Sequence, residues 1–297
     1  MPRARLIYNP TAGRELIKKQ LPQILDVLEQ AGYETSCRAT QGRWHAAKEA
    51  SRAAERGYDI VIAAGGDGTI HEVVNGIASH QNPPKLGILP AGTTNDFARA
   101  LGIPRNLSQA CEVITGGKTM PIDLGRYGER YFINVAAVGW LAQVAHEAPS
   151  RLKSIVGSLA YYAKALEKLG SGLKPFSIQI RTSQGEWQGD ISLLLLTNSV
   201  SVGGFEKIAP EACLNDGFLD VLIVPKVTIP ELLQIAAQAY KGEHISNSRV
   251  IYFQTDQVEI KAVDSVESLP LNLDGEWGGE ITAPFSVMPR HLEVFCP

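Results

Sequence analysis

Cysteine is scarce: Cys37, Cys111, Cys213 and Cys296 are the only four in 297 residues, and no two form a CxxC pair. That spacing speaks against a disulfide framework and against structural zinc, and predicts reduced thiols in a cytoplasmic protein. Long hydrophobic runs are missing too. The best candidate, residues 191–196, is interrupted by Ser192 and falls far short of the ~20 apolar residues that cross a bilayer. The opening MPRARLIYNP passes from two arginines straight into a strand-like run, without the apolar stretch of a signal peptide. Charge of one sign is not in excess: 28 Lys and Arg face 31 Asp and Glu, a net −3. A nucleic-acid partner is therefore not expected, and any membrane contact should be transient and peripheral. Two nucleotide signatures are absent as well. There is no GxxxxGK[ST] loop, and Gly66, Gly68 and His71 do not complete GxGxxG, so neither a Walker-type ATPase nor a dinucleotide-binding dehydrogenase is supported.

What is present is the balance of a chain that buries a core, 44% apolar and 20% charged, at a length that suits two domains. Residues 5–8 read as a buried strand, 9–13 as a turn, and Leu16, Ile17, Leu21, Ile24, Leu25 and Leu28 share one helical face. The alternation continues with strands over 33–38, 59–64 and 86–89 and helices over 44–56, 69–78 and from about Asn95. Such a pattern predicts an α/β, Rossmann-like N-terminal domain with a mostly parallel sheet, ligands gathering beyond the strands' carboxyl ends. From about Met120 the period changes to two. Strands are expected over 176–180, 191–196, 218–224, 250–253 and 258–260, which implies a β-rich, β-sandwich-like second domain. The predicted boundaries are 1–122 and 123–297, the last strand free to pack back on the first domain. Two helices interrupt the strands: an apolar stripe over 151–169, read first as core and second as a membrane-facing face with Lys153, Lys164 and Lys168, and another opened by Thr228 and Glu231 spaced as a capping box.

The sharpest local signal is AAGGDGT, residues 63–69, a glycine turn between an apolar strand and a helix. Its glycines admit close backbone approach, and the N–H groups of Gly65, Gly66, Gly68 and Thr69 suit a phosphate. Asp67 repels phosphate, so its role there would be to orient Mg²⁺ or its waters; the alternative is a tight structural turn with an Asp cap. LPAGTTNDFAR, residues 89–99, repeats the strand, turn and helix plan with Gly92, Thr93 and Asn95, although Asn95 or Asp96 alone would read as a helix cap.

NPTAG at 9–13, GGDGTIHEVVNG at 65–76, LPAGTTNDFARALG at 89–102, NVAAVG at 134–139, NDGFLDV at 215–221 and NLDGE at 272–276 together resemble the diacylglycerol kinase catalytic family, in its short bacterial branch. The motifs stand in the family's order along nearly the whole chain. The resemblance implies a lipid kinase that transfers phosphate from Mg-ATP to a lipid hydroxyl, diacylglycerol first. Asn9, Thr11, Ala12, Gly13, Thr40, the stretch from Gly66 to Glu72, and Thr93 would then line an ATP site between the domains. It also implies a bracing Mg²⁺ on the Asp216 carboxylate and the carbonyls of Cys213 and Phe218, where spacing alone suggests a hairpin turn. Asp274 and Glu276 supply two carboxylates suited to taking the proton of an incoming alcohol, Glu276 preferred as acceptor and Asp274 as the group that positions hydroxyl or metal; read by themselves they form a solvated β-turn. His71 departs from the polar amide frequent in relatives, and its plain reading is a helix-surface histidine. Alternatives are a kinase for phosphatidylglycerol or a sphingoid base, an NAD kinase, or a nucleotide-binding regulator, the last disfavoured by intact Asp67, Asp274 and Glu276. A homodimer is left open.

Overall fold

Strand β1 (Arg3–Tyr8) leads through a tight turn into α1 (Leu16–Gln30), whose Ile17, Ile24 and Leu28 are buried on one face. The computed structural model describes residues 1–139, 175–263 and 269–297. The helix expected over 151–169 lies outside the described residues. The plan of β1 and α1 repeats as β2 (Glu34–Ala39), α2 (His45–Glu55), β3 (Ile60–Gly65), α3 (Asp67–Ile77), β4 (Lys85–Pro90), α4 (Asp96–Ala100) and α5 (Leu107–Thr115). The four strands are parallel in the order β4-β3-β1-β2. Every residue of β3, IVIAAG, is buried, as a strand paired on both edges and covered on both faces requires. By contrast β2, ETSCRA, lies at the border and carries charge, which discourages further pairing there.

Two compact units divide the chain: Met1–Leu124 with Glu129–Ile133 and Pro289–Pro297, and Gly125–Gly128 with Asn134–Met288. The chain passes between them in β5 (Thr119–Tyr127) and again in the last strand, β15 (Phe285–Phe295), after β6 (Arg130–Phe132) has added a short strand to the first unit. Val294 of β15 pairs in parallel with Leu86 of β4.

The second unit holds β7 (Val135–Gly139), β8 (Phe176–Thr182), β9 (Gly185–Thr197), β10 (Leu219–Pro225), α6 (Ile229–Lys241), β11 (Ile251–Thr255), β12 (Gln257–Ala262), β13 (Pro270–Leu273) and β14 (Glu276–Glu280). Its pairings are antiparallel. The long β9 serves two neighbourhoods: residues 185–191 pair with β8, while 193–197 pair with β7 on one edge and β10 on the other. Those last residues are buried without a break, hence the unbroken LLLL. The Thr228 and Glu231 capping box opens α6, the backbone N–H of Thr228 donating to Glu231 Oε2 at 2.8 Å.

Element limits differ from expectation in instructive places. Helix α3 starts at Asp67, two residues early, because Gly66 is extended and lets an acidic residue occupy the first turn, where the helix dipole favours it. Helix α5 was not expected. Its start is marked by Asn106, whose Oδ1 accepts from the N–H groups of Ser108 (3.0 Å) and Gln109 (3.2 Å).

Candidate active site

In the first unit the connection from β1 to β2 runs one way and β3 returns to the other side of β1, so the strand order reverses between β1 and β3. Ligands of open α/β sheets bind beyond such a reversal. The turns that leave β1, β3 and β4 meet there through their backbones: Asn9 N–H donates to Ala64 O at 2.9 Å, and Ala91 N–H to Gly65 O at 2.8 Å. Contact is too close for side chains. A Cβ on Gly92 would lie 2.5 Å from Gly66 Cα, and one on Gly13, whose φ is +56°, would lie 2.8 Å from Ala91 O.

The polar side chains of these loops mostly hold the loops themselves. Asp67 accepts from Thr94 Oγ1 at 3.0 Å and from Phe97 N–H at 3.4 Å, so it joins the β3 loop to the start of α4. Asn95 stands before α4 in the left-handed region (φ 50°) and does not cap it; its Oδ1 accepts from Gly92 N–H (2.8 Å) and its Nδ2 donates to Gly92 O (2.9 Å). Asn9 Oδ1 takes both the N–H and the hydroxyl of Thr11, at 3.0 and 2.9 Å. Thr40 donates its N–H to Tyr8 O at 2.8 Å, which keeps it beside the end of β1. Glu72 caps α2, its two oxygens accepting from Trp44 N–H (2.8 Å) and Ala46 N–H (2.9 Å). His71 is no surface residue: it is 1% exposed and meets Trp44 edge-on, ring centroids 5.8 Å apart. Sequence reading passed over Thr94 and Arg105. The first adjoins Thr93; the second, through Nη2, donates to the carbonyls of Thr93 (3.3 Å) and Thr94 (3.1 Å) from a distance no local pattern marks.

In the second unit, Asp274 and Gly275 are the two residues of the hairpin turn between β13 and β14, with φ of 52° and 91°. Both central angles are positive, as in the tight turn that matches strand twist. Asp274 Oδ1 accepts from the N–H groups of Asn134 (2.8 Å) and Val135 (2.9 Å), pinning the turn to β7. Glu276 begins β14 and is half-buried. Spacing alone had not separated the two acids; in the structure Asp274 is the one tied to β7. Asn272 Oδ1 accepts from Gly275 N–H at 2.7 Å, which fixes the amide's orientation and leaves the buried Nδ2 without a partner among the described residues.

Asp216 and Gly217 do not form a hairpin. They end a long loop ahead of β10, Asp216 Oδ1 accepting from Phe218 N–H at 3.0 Å and Gly217 turning at φ +82°. Among the described residues no three His, Cys, Asp or Glu side chains converge as a metal set. An ion here would rest on one carboxylate, carbonyls and water, the manner of Mg²⁺. The surroundings fit a cation: Asp220 of β10 is 1% exposed, and its Oδ2 has no partner among the described residues. Burial raises the Asp220 carboxyl above the ordinary range, against the opposing hydrogen bonds of Tyr252 and Gln254.

An α/β unit with glycine loops at its strand reversal, followed by a β-rich unit with acidic turns, is an arrangement suited to phosphoryl transfer. Residues 3–127 match the diacylglycerol kinase catalytic domain, and residues 134–296 match the YegS C-terminal NAD kinase beta sandwich-like domain. The chain is 48% identical to a diacylglycerol kinase of Bacillus subtilis (strain 168), over 100% of this chain and 97% of that one. It is 49% identical to a diacylglycerol kinase of Staphylococcus haemolyticus (strain JCSC1435), over 99% and 88%. A crystal structure of a diacylglycerol kinase from Bacillus anthracis str. Sterne superposes with a TM-score of 0.81 at 25% identity, covering 99% of this chain and 97% of that one. The chain belongs to the diacylglycerol kinase family of lipid kinases.

Proposed function

We propose that the protein transfers the γ-phosphoryl group of ATP to the free hydroxyl of diacylglycerol, giving phosphatidic acid and ADP. The observation that carries this reading is the fused backbone of the glycine loops at the strand reversal, which offers N–H groups to a polyphosphate. The first unit supplies the nucleotide loops, with Gly65, Gly66, Gly68, Thr69, Gly92 and Thr93 around the phosphates. Asn9, Glu72 and Asn95 serve this site by holding its loops in shape. Asp67, its carboxylate oriented by Thr94, keeps acceptor capacity for Mg²⁺ or its waters, and that ion would neutralise charge developing on the phosphates. The second unit supplies the acceptor's side. Glu276 takes the proton from the lipid hydroxyl as its oxygen bonds to phosphorus and the bond to the ADP oxygen breaks. Asp274 positions the turn that presents it, and Asn272 Nδ2 offers a donor to an oxygen of the acceptor. Cys213, Asp216 and Phe218 would hold a second Mg²⁺ that braces the second unit.

Among the described residues no helix is long and apolar enough to cross a membrane, so the lipid would be met at a membrane surface. The relatives' names favour diacylglycerol over the alternatives. The test is incubation with labelled ATP, Mg²⁺ and mixed micelles containing diacylglycerol, phosphatidylglycerol and sphingosine, with NAD in a parallel tube. Label in phosphatidic acid is expected. Label only in another lipid would replace the substrate, and label in NAD alone would overturn the lipid reading.

A further inference from the structure

We propose that Arg105 is a positioning residue for phosphoryl transfer: its guanidinium holds the carbonyls of Thr93 and Thr94, and through Thr94 it sets the carboxylate of Asp67. The inference deepens the reading of these glycine loops as the nucleotide site and rests on it. Nη2 of Arg105 donates to Thr93 O at 3.3 Å and to Thr94 O at 3.1 Å. Arg99 Nη2 reaches the same Thr94 carbonyl at 3.0 Å. In a planar trans peptide the N–H points opposite to the C=O, so two carbonyls held by arginine turn the N–H groups of Thr94 and Asn95 the other way. The hydroxyl of Thr94 donates to Asp67 Oδ2 at 3.0 Å. Fixing Thr94 by its carbonyl therefore fixes both the backbone of the loop and the carboxylate assigned to Mg²⁺.

Local structure brings Arg105 to this place. Helix α4 ends in a turn where Gly102, at φ +72°, donates its N–H to Arg99 O at 3.0 Å, and Ile103, 6% exposed, donates to Ala98 O at 2.8 Å. Asn106 then caps α5, so Arg105 stands between a buried residue and a helix cap. Its side chain is exposed, and no ion pair among the described residues includes it. An exposed arginine contributes little to stability, which makes its two hydrogen bonds to the loop the reason to keep it. Arg99 is a poorer probe of the same effect. It is paired with Asp96 at 2.6 Å, and removing it would leave that buried acid uncompensated. Groups that orient metal-binding residues from behind govern affinity and rate nearly as much as the direct contacts do.

The experiment is steady-state kinetics of the full chain in mixed micelles for wild type, Arg105→Ala, Arg105→Lys and Asp67→Ala, with unfolding temperatures alongside. Arg105→Ala should unfold near the wild-type temperature and lose about 10–100-fold in kcat/KM for Mg-ATP. Its KM for diacylglycerol should stay that of wild type. Millimolar guanidinium should restore part of the loss and leave wild type unchanged, because cutting back the side chain opens room in the cleft of about 190 Å³ that Asn95, Arg99, Ile103 and Arg105 line. Arg105→Lys, which keeps the charge and the donors, should also recover part of it. Wild-type kinetics in Arg105→Ala would overturn the proposal. So would a loss that neither guanidinium nor lysine recovers, or one that merely follows a lowered unfolding temperature, since both mark a structural residue. Asp67→Ala separates the two readings. If its kcat/KM for Mg-ATP equals that of wild type, the nucleotide reading of these loops fails and this one with it; if Asp67→Ala is impaired and Arg105→Ala is not, Arg105 alone is dismissed.

Discussion

Replacing Gly92 by alanine perturbs the point where the two glycine loops proposed to hold phosphate touch. The new Cβ would sit 2.5 Å from Gly66 Cα, against the 3.4–4 Å of ordinary contact, so the loops must part by about 1 Å. The obstacle is backbone, which has no rotamer to give way. Misplacement of that size costs on the order of 10²-fold in rate when the displaced groups position a reacting phosphate. The accompanying strain is worth roughly 1–3 kcal/mol of stability. Gly66→Ala meets Gly92 Cα at 3.2 Å and should do less, whereas Gly42, with nothing within 4 Å of its Cβ position, is the control. Initial rates of ATP-dependent diacylglycerol phosphorylation and unfolding temperatures should be measured on all three. The order expected is Gly92→Ala far below Gly66→Ala, with Gly42→Ala near wild type. A Gly92→Ala enzyme with at least half of wild-type turnover would refute the claim that the loops must touch.

Glu276→Gln should lower kcat by about 10²- to 10⁴-fold with unchanged affinity for ATP. Asp274→Asn, which weakens two backbone hydrogen bonds to a charged acceptor, should lower Tm as well; an active Glu276→Gln beside a stable, inactive Asp274→Asn would reverse the two roles. Asp67→Ala should lose about 10³-fold in activity and also some stability, since Thr94 and Phe97 lose their acceptor; a folded variant with near-normal turnover would sink the metal role. At Glu49, 4% exposed, burial works to raise the pKa, but the hydrogen bonds of Arg5 and Arg52 outweigh it and hold the carboxyl below its ordinary 4.5. Its contribution is therefore complete above 4.5 and is lost as pH falls through the lower folded value. Tm measured down a pH series should fall less steeply below 4.5 in Glu49→Gln than in wild type, from a lower starting point; parallel curves would contradict this.

Much of the first unit was legible because its signals are local. The unbroken apolar β3 and the glycine turn behind it sit in ten consecutive residues, and the Thr228 and Glu231 box needs only four. Strands β5 to β7 were not distinguished, and β5 shows why. Its Asp123 is fully buried yet breaks the apolar pattern, and the reason is a backbone N–H at Arg290, 2.6 Å away in space but far along the chain. The site follows the same division. Family resemblance of the motifs, more than their spacing, pointed to Asp67, Asp274 and Glu276 as candidates, while the burial of His71, the use of Glu72 as a cap and the approach of Gly66 to Gly92 depend on which elements become neighbours.

The partition of β15 bears on the order in which this chain can mature. Leu292, Val294 and Phe295 are fully or almost fully buried in the first unit, and Val294 pairs with Leu86 on the border of β4. During synthesis, β1 to β4 emerge roughly two hundred residues before that partner, about ten seconds or more at ordinary elongation rates. Throughout that interval the apolar strand LGILP presents an open edge, the feature that invites pairing with a second nascent chain. Shortening the chain ahead of Leu292 should therefore harm solubility more than it harms the chemistry of any single residue, and a chaperone that shields strand edges has its longest opportunity on this half-made sheet.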